Sequence, residues 1–84
     1  MKLIWSEQAW EDYLYWQEAD KRMAIKLSEL IKEAHRTPFE GKGKPEPLHH
    51  HLAGFWSRRI SAEHRFVYSV TDETMLIVIC RYHY

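Results

Sequence analysis

An α+β domain, with two helices covering one face of a mostly antiparallel sheet, is the architecture this sequence predicts. Three observations carry it. A short apolar start, Met1 to Trp5, leads into two stretches of helical periodicity that end near Arg36. All three prolines and two of the three glycines then fall within residues 37–48. Beyond them lie three strand-like segments separated by short polar linkers. Strand, helix, helix, loop and three-stranded meander segregate the helices from most of the strands, which is the α+β pattern. The 84 residues suffice for a single domain, 1–84, with one modest core.

Met1 to Trp5 reads as a short strand. Ser6 is a good N-cap, and Glu7, Glu11 and Asp12 suit the positive end of a helix dipole. Ala9, Trp10, Tyr13, Leu14 and Trp16 give that helix an apolar stripe to about Gln17. Asp20 caps a second helix, in which Met23, Leu27, Leu30, Ile31 and Ala34 recur at spacings of three and four. It stops near Arg36, because Thr37 precedes Pro38 and a residue before proline is pushed out of helical geometry. Residues 37–48 form a long loop, and long loops in compact domains are commonly functional. Strands are expected near Phe55–Ile60, His64–Val70 and Met75–Tyr82, joined through Ser61-Ala62-Glu63 and Thr71-Asp72-Glu73-Thr74.

Composition narrows the class. A hydrophobic content of 45% argues against disorder. The formal net charge of zero hides an asymmetry. Residues 41–84 carry Lys42, Lys44, Arg58, Arg59, Arg65 and Arg81 against Glu46, Glu63, Asp72 and Glu73, with five of the six histidines. That half can meet phosphates. Cys80 is the single cysteine, so no intramolecular disulfide forms, and its apolar neighbours Leu76 to Ile79 mark it as a small buried residue. No stretch approaches the roughly 20 apolar residues of a membrane helix. The apolar start breaks at Ser6-Glu7-Gln8, short of a signal-peptide core, so a cytoplasmic location is the expectation.

Several residues carry chemistry. Pro45 and Pro47 stiffen the chain around Glu46, setting a carboxylate on a rigid stalk. With a three-residue linker at 61–63, Arg59 lies opposite Arg65 on one sheet face, while Trp56, Ile60, Phe66, Tyr68 and Val70 point to the other, beneath the helices. Two arginines so placed repel unless an anion sits between them, and Arg suits phosphate through bidentate donation. On the third strand Arg81 and His83 share a parity opposite to that of Leu76, Val78, Cys80 and Tyr82. The hairpin register can then bring His83 to the arginine face. A terminal carboxylate beside His83 raises its pKa, and a protonated imidazole serves as a general acid. Gly41-Lys42-Gly43-Lys44 lacks the spacing of a phosphate-binding P-loop; a backbone contact to nucleic acid and a merely solvated loop both fit it. His49-His50-His51, on extended chain, alternates sides and makes a poor chelate, so no metal site is expected. No Ser or Cys sits in a nucleophile elbow.

The sequence resembles the YoeB-type toxins of the RelE/ParE superfamily over nearly its whole length. The stretches that carry the likeness are Lys2 to Ser6, Asp12 to Gln17, Arg36 to Leu48, Gly54 to Ile60, and the ending Cys80-Arg81-Tyr82-His83-Tyr84. The resemblance implies a RelE-like fold and a ribosome-dependent endoribonuclease that cuts messenger RNA in the A site of the 70S ribosome, without metal or other cofactor. It implies a homodimer and neutralisation by a YefM-type antitoxin, in a complex able to bind its own operator DNA. Carried over residue by residue, it makes Glu46 the general base, Arg59 and Arg65 the phosphate-binding arginines, His83 the general acid and Tyr84 the terminal aromatic. Lys44 and His49 join them as phosphate contacts. His49 stands where the family has lysine, and a neutral imidazole brings less charge to phosphate. The alternatives are a non-catalytic gyrase inhibitor of the ParE type and a small RNA-binding module.

Overall fold

A computed structural model describes residues 1–82. Strand β1 (Lys2–Trp5) is followed by helices α1 (Glu7–Ala19) and α2 (Lys21–Arg36). Then come β2 (Glu46–Pro47), a 3-10 turn (His50–Leu52), β3 (Trp56–Arg59), β4 (Arg65–Val70) and β5 (Thr74–Ile79). The strands form one sheet in the order β1-β5-β4-β3-β2. All neighbours are antiparallel except β1 and β5, which run parallel.

Both caps form as the sequence predicts. Ser6 Oγ accepts from the Ala9 N–H at 3.0 Å, and Asp20 Oδ1 accepts from Arg22 and Met23 at 3.1 and 3.2 Å. Each satisfies donors that a helix start leaves without partners, worth about 1 kcal/mol apiece. From α2, Ala24, Leu27, Leu30, Ile31 and Ala34 pack with Phe66, Tyr68, Met75 and Ile77 of the sheet and with Ile60 and Cys80 just beyond β3 and β5. This core holds both helices against one sheet face.

Four sequence expectations change. Residues 37–48 are not all loop, since Glu46 and Pro47 form an edge strand on β3. Residues 50–52 wind into a 3-10 turn, with His50 at φ 58°, in place of extended chain. The last strand ends at Ile79, short of Tyr82. Its alternation also breaks. Tyr68 pairs with Ile77 but Val67 pairs with Ile79, so Val78 is an extra residue. Such a bulge flips the parity of everything beyond it. Met75 and Ile77 therefore join the core before the bulge and Cys80 joins it afterwards, while Leu76 sits opposite Ser69 on the other face. Ser6 is tied to the irregularity: its hydroxyl donates to the Val78 carbonyl at 3.0 Å.

Candidate functional site

The chain reaches β2 over a platform built around Arg58. This side chain is fully buried on the core face of β3. Its Nε donates to Tyr68 Oη at 2.9 Å, Nη1 to the Lys42 carbonyl at 3.0 Å, and Nη2 to the Thr37 and Glu40 carbonyls at 2.6 and 2.9 Å. Glu33 Oε2 lies 3.7 Å from Nη1 and accepts from the Lys42 N–H at 2.7 Å. Tyr68 Oη donates in turn to the Pro38 carbonyl at 2.6 Å. Burial pushes the Tyr68 phenol up from its ordinary value, against the opposing pull of the Arg58 hydrogen bond and charge. A buried guanidinium is tolerated when its donors are satisfied, and here loop carbonyls satisfy them. Gly43 completes the platform: its φ is +85°, and a Cβ there would meet Leu30 Cδ2 at 3.0 Å and Arg58 Cβ at 3.1 Å. Its carbonyl accepts from the Arg59 N–H at 2.7 Å, seating the loop against β3.

Register then arranges the face away from the helices, where Ser57 and Val67 are buried between more accessible charged residues. Glu46 pairs with Ser57, and Arg59 pairs with Arg65. Directly paired residues share a face, as do residues two apart on a strand. Glu46, Ser57, Arg59 and Arg65 therefore all lie on the face away from the helices, as the strand alternation predicts for the two arginines. Strand spacing and rise put the Glu46 and Arg65 Cα atoms about 12 Å apart, within the combined reach of both side chains. Glu46 and Arg59 are exposed and Arg65 is half-buried. Arg65 Nη1 donates to the carbonyls of Ser61, Ala62 and His64 at 2.8, 3.3 and 3.1 Å. Among the described residues, the Arg65 Nε and Nη2 atoms and the whole Arg59 guanidinium have no hydrogen-bond partner. A carboxylate beside two facing guanidiniums can take a proton and bind an anion in one place.

Lys44 and Arg59 line one groove at the sheet edge, whose other wall is Lys26, Glu29 and Leu30 of α2. Glu46 and His49 line another, with Pro47 and His50. His83 and Tyr84 lie outside the described residues. Strand alternation stops short of His83, because β5 bulges and ends at Ile79.

Sequence reasoning missed a second group of polar residues. Asp12 belongs to the buried face of α1, with Ala9 and Trp16, while Trp10 and Leu14 are largely exposed. Its Oδ2 accepts from the Cys80 N–H at 3.0 Å, and Gln8 donates to its Oδ1 at 2.9 Å. Trp16 Nε1 donates to the Cys80 carbonyl at 2.9 Å. Burial, with Asp12 nearby, raises the Cys80 thiol far above its ordinary value. His64 Nδ1 accepts from the Tyr82 N–H at 2.8 Å. One signal for Asp12 was present in the sequence: it falls at helical spacing between Ala9 and Trp16. Arg58 and His64 carried none, since a charged residue in a strand and a histidine beside a turn are ordinary surface features.

Residues 5–84 match the family described as the YoeB-like toxin of bacterial type II toxin-antitoxin systems. A toxin named YoeB from Escherichia coli K12 is 71% identical over 84 residues, covering both chains completely. A structure described as a YoeB/ParE toxin from Agrobacterium tumefaciens superposes with a TM-score of 0.96 at 53% identity, over all of both chains. Two Staphylococcus aureus structures, a YoeB dimer and a heterotetrameric YoeB–YefM toxin-antitoxin complex, give TM-scores of 0.92 and 0.91. Each is 48% identical and covers 100% of this chain and 98% of its own.

Proposed function

Because the chain belongs to the YoeB-like toxins of bacterial type II toxin-antitoxin systems, we propose that it is an endoribonuclease that cuts messenger RNA in the ribosomal A site by general acid–base chemistry. The observation that carries this reading is the register that sets Glu46 beside the Arg59–Arg65 pair on the sheet face away from the helices.

The steps follow from the chemistry of those groups. Glu46 takes the proton of a ribose 2′-hydroxyl. The freed oxygen attacks the adjacent phosphorus, and the bond to the 5′-oxygen breaks. Arg65, with Arg59, stabilises the charge that grows on the phosphoryl oxygens in the transition state. His83 gives its proton to the leaving 5′-oxygen. Tyr84 stacks on a base, a contact that tolerates any sequence. Lys44 and His49 meet flanking phosphates. The products are a 2′,3′-cyclic phosphate and a 5′-hydroxyl. By likeness to the Staphylococcus assemblies, the partners are a second copy of the chain and a YefM-type antitoxin. Binding of operator DNA by the toxin–antitoxin complex belongs to the same reading.

The test is end-group analysis of RNA cut on ribosomes by the purified chain. A cyclic phosphate on the upstream fragment and a 5′-hydroxyl on the downstream one are expected. Intact RNA accompanied by inhibition of gyrase would replace this reading with the ParE-like one.

A further inference from the structure

Beyond β5 the chain no longer pairs as a strand, yet residues 80–82 are held at every step. Asp12 and Trp16 take the N–H and the carbonyl of Cys80. The Arg81 guanidinium lies 3.4 Å from the Tyr15 ring centroid and 4.6 Å from that of Tyr82. The Tyr82 carbonyl accepts from the Arg65 N–H at 3.0 Å, and the Tyr82 N–H donates to His64 Nδ1 at 2.8 Å. Tyr82 has φ 64°, a left-handed conformation that a bulky residue adopts only when its surroundings enforce it. The ring of His64 stands edge-on to Trp16, with centroids 4.8 Å apart.

We propose that His64 is a positioning residue: as a neutral imidazole with Nδ1 unprotonated, it holds the Tyr82 N–H and so sets the peptide from which His83 departs. The proposal rests on the reading of His83 as general acid. The chemistry is specific. An imidazole accepts at Nδ1 only as the Nε2–H tautomer, so the bond to Tyr82 selects one form of the ring. The N–H of Tyr82 is held by His64 and its carbonyl by the Arg65 N–H, so neighbouring residues at the start of β4 fix Tyr82 from both sides. A general acid must come within about 3 Å of the atom it protonates. His64 thereby couples the start of β4, where Arg65 begins, to the segment that delivers the acid.

The experiment compares His64→Leu, which fills space but cannot accept, with His64→Asn, whose amide oxygen can. Each is measured by melting curve, ribosome pelleting and single-turnover cleavage on ribosomes. His64→Leu is expected to bind ribosomes normally and cleave on the order of a hundredfold more slowly, as for an ångström-scale misplacement of a reacting group. His64→Asn is expected to recover most of that loss. Wild-type cleavage by His64→Leu, or equal loss in both variants, overturns the proposal. Nitrogen chemical shifts of the His64 ring in the unaltered chain give a readout that no variant's folding can confuse. A bare Nδ1 is expected, and a protonated Nδ1 overturns the proposal. His83→Gln runs alongside: if it cleaves at the wild-type rate, the general-acid reading fails, whereas its loss beside an active His64→Leu isolates the failure to His64.

Discussion

Arg59 and Arg65 occupy directly opposed positions on β3 and β4, two like charges on the sheet face that the helices leave open. Opposed like charges on a sheet are destabilising, where a favourable cross-strand pair contributes roughly 0.2–1 kcal/mol. Replacing one with a neutral β-former removes the repulsion. Arg59→Thr is expected to leave stability unchanged or raise it by up to about 1 kcal/mol, while slowing cleavage. Inorganic phosphate is expected to raise the thermal midpoint of the unaltered chain by mass action, and to lose that effect in Arg65→Ala. A midpoint that ignores phosphate would remove the anion from the account of this pair.

Glu46 lies on an exposed edge strand, so its carboxylate is dispensable to the core. Glu46→Gln is expected to change stability by no more than about 0.5 kcal/mol. Its single-turnover cleavage on ribosomes should fall by roughly a hundred- to ten-thousand-fold, the usual worth of a general base. Ribosome pelleting should be unaffected. Full cleavage by Glu46→Gln would assign the base to another group.

Arg58 behaves oppositely. Removing it takes one donor from each of the Thr37, Glu40 and Lys42 carbonyls and from Tyr68 Oη. Arg58→Met is expected to lose about 3 kcal/mol or more in urea unfolding. Cleavage should fall in step with the folded fraction, because residues 37–44 lead directly into Glu46. A stable Arg58→Met chain would mean that the loop holds its shape without the guanidinium.

The buried Cys80 thiol yields a pH prediction. Its folded-state value is raised, so the folded chain holds the proton more tightly than the unfolded chain does. The resulting stabilisation is complete below the ordinary thiol range and is lost as pH climbs through and above it. Urea midpoints should therefore fall in alkaline solution, and Cys80→Ala should flatten that fall. A thiol-modifying reagent should leave Cys80 untouched in the folded chain and react once urea unfolds it. Rapid labelling of the folded chain would contradict the burial.

Much of the fold is written in local spacing. Ser6 and Asp20 announce both helix starts because a cap needs only a short polar side chain one residue before a helical run. The stripe through Leu27, Leu30 and Ile31 locates the core face of α2. Period-two alternation through 59 and 65 puts both arginines on one face, since β3 and β4 are joined by a short hairpin whose length sets their register. The resemblance to the toxin family rests largely on other stretches, Arg36 to Leu48 with Glu46 among them.

Other features depend on partners far along the chain. Asp12 reads as one more acid in a helix's first turns until Cys80, 68 residues away, supplies the N–H that it accepts. Nothing near Arg58 in sequence tells of the carbonyls of residues 37–42 that surround it. The bulge at Val78 is invisible in an unbroken apolar run, because it arises from how β5 meets β4 and how Ser6 takes the Val78 carbonyl. Side-chain periodicity is a property of the local backbone and survives in one dimension. The pairing of a buried polar group is a property of what the fold brings beside it, because desolvation makes that partner obligatory without marking it in the sequence.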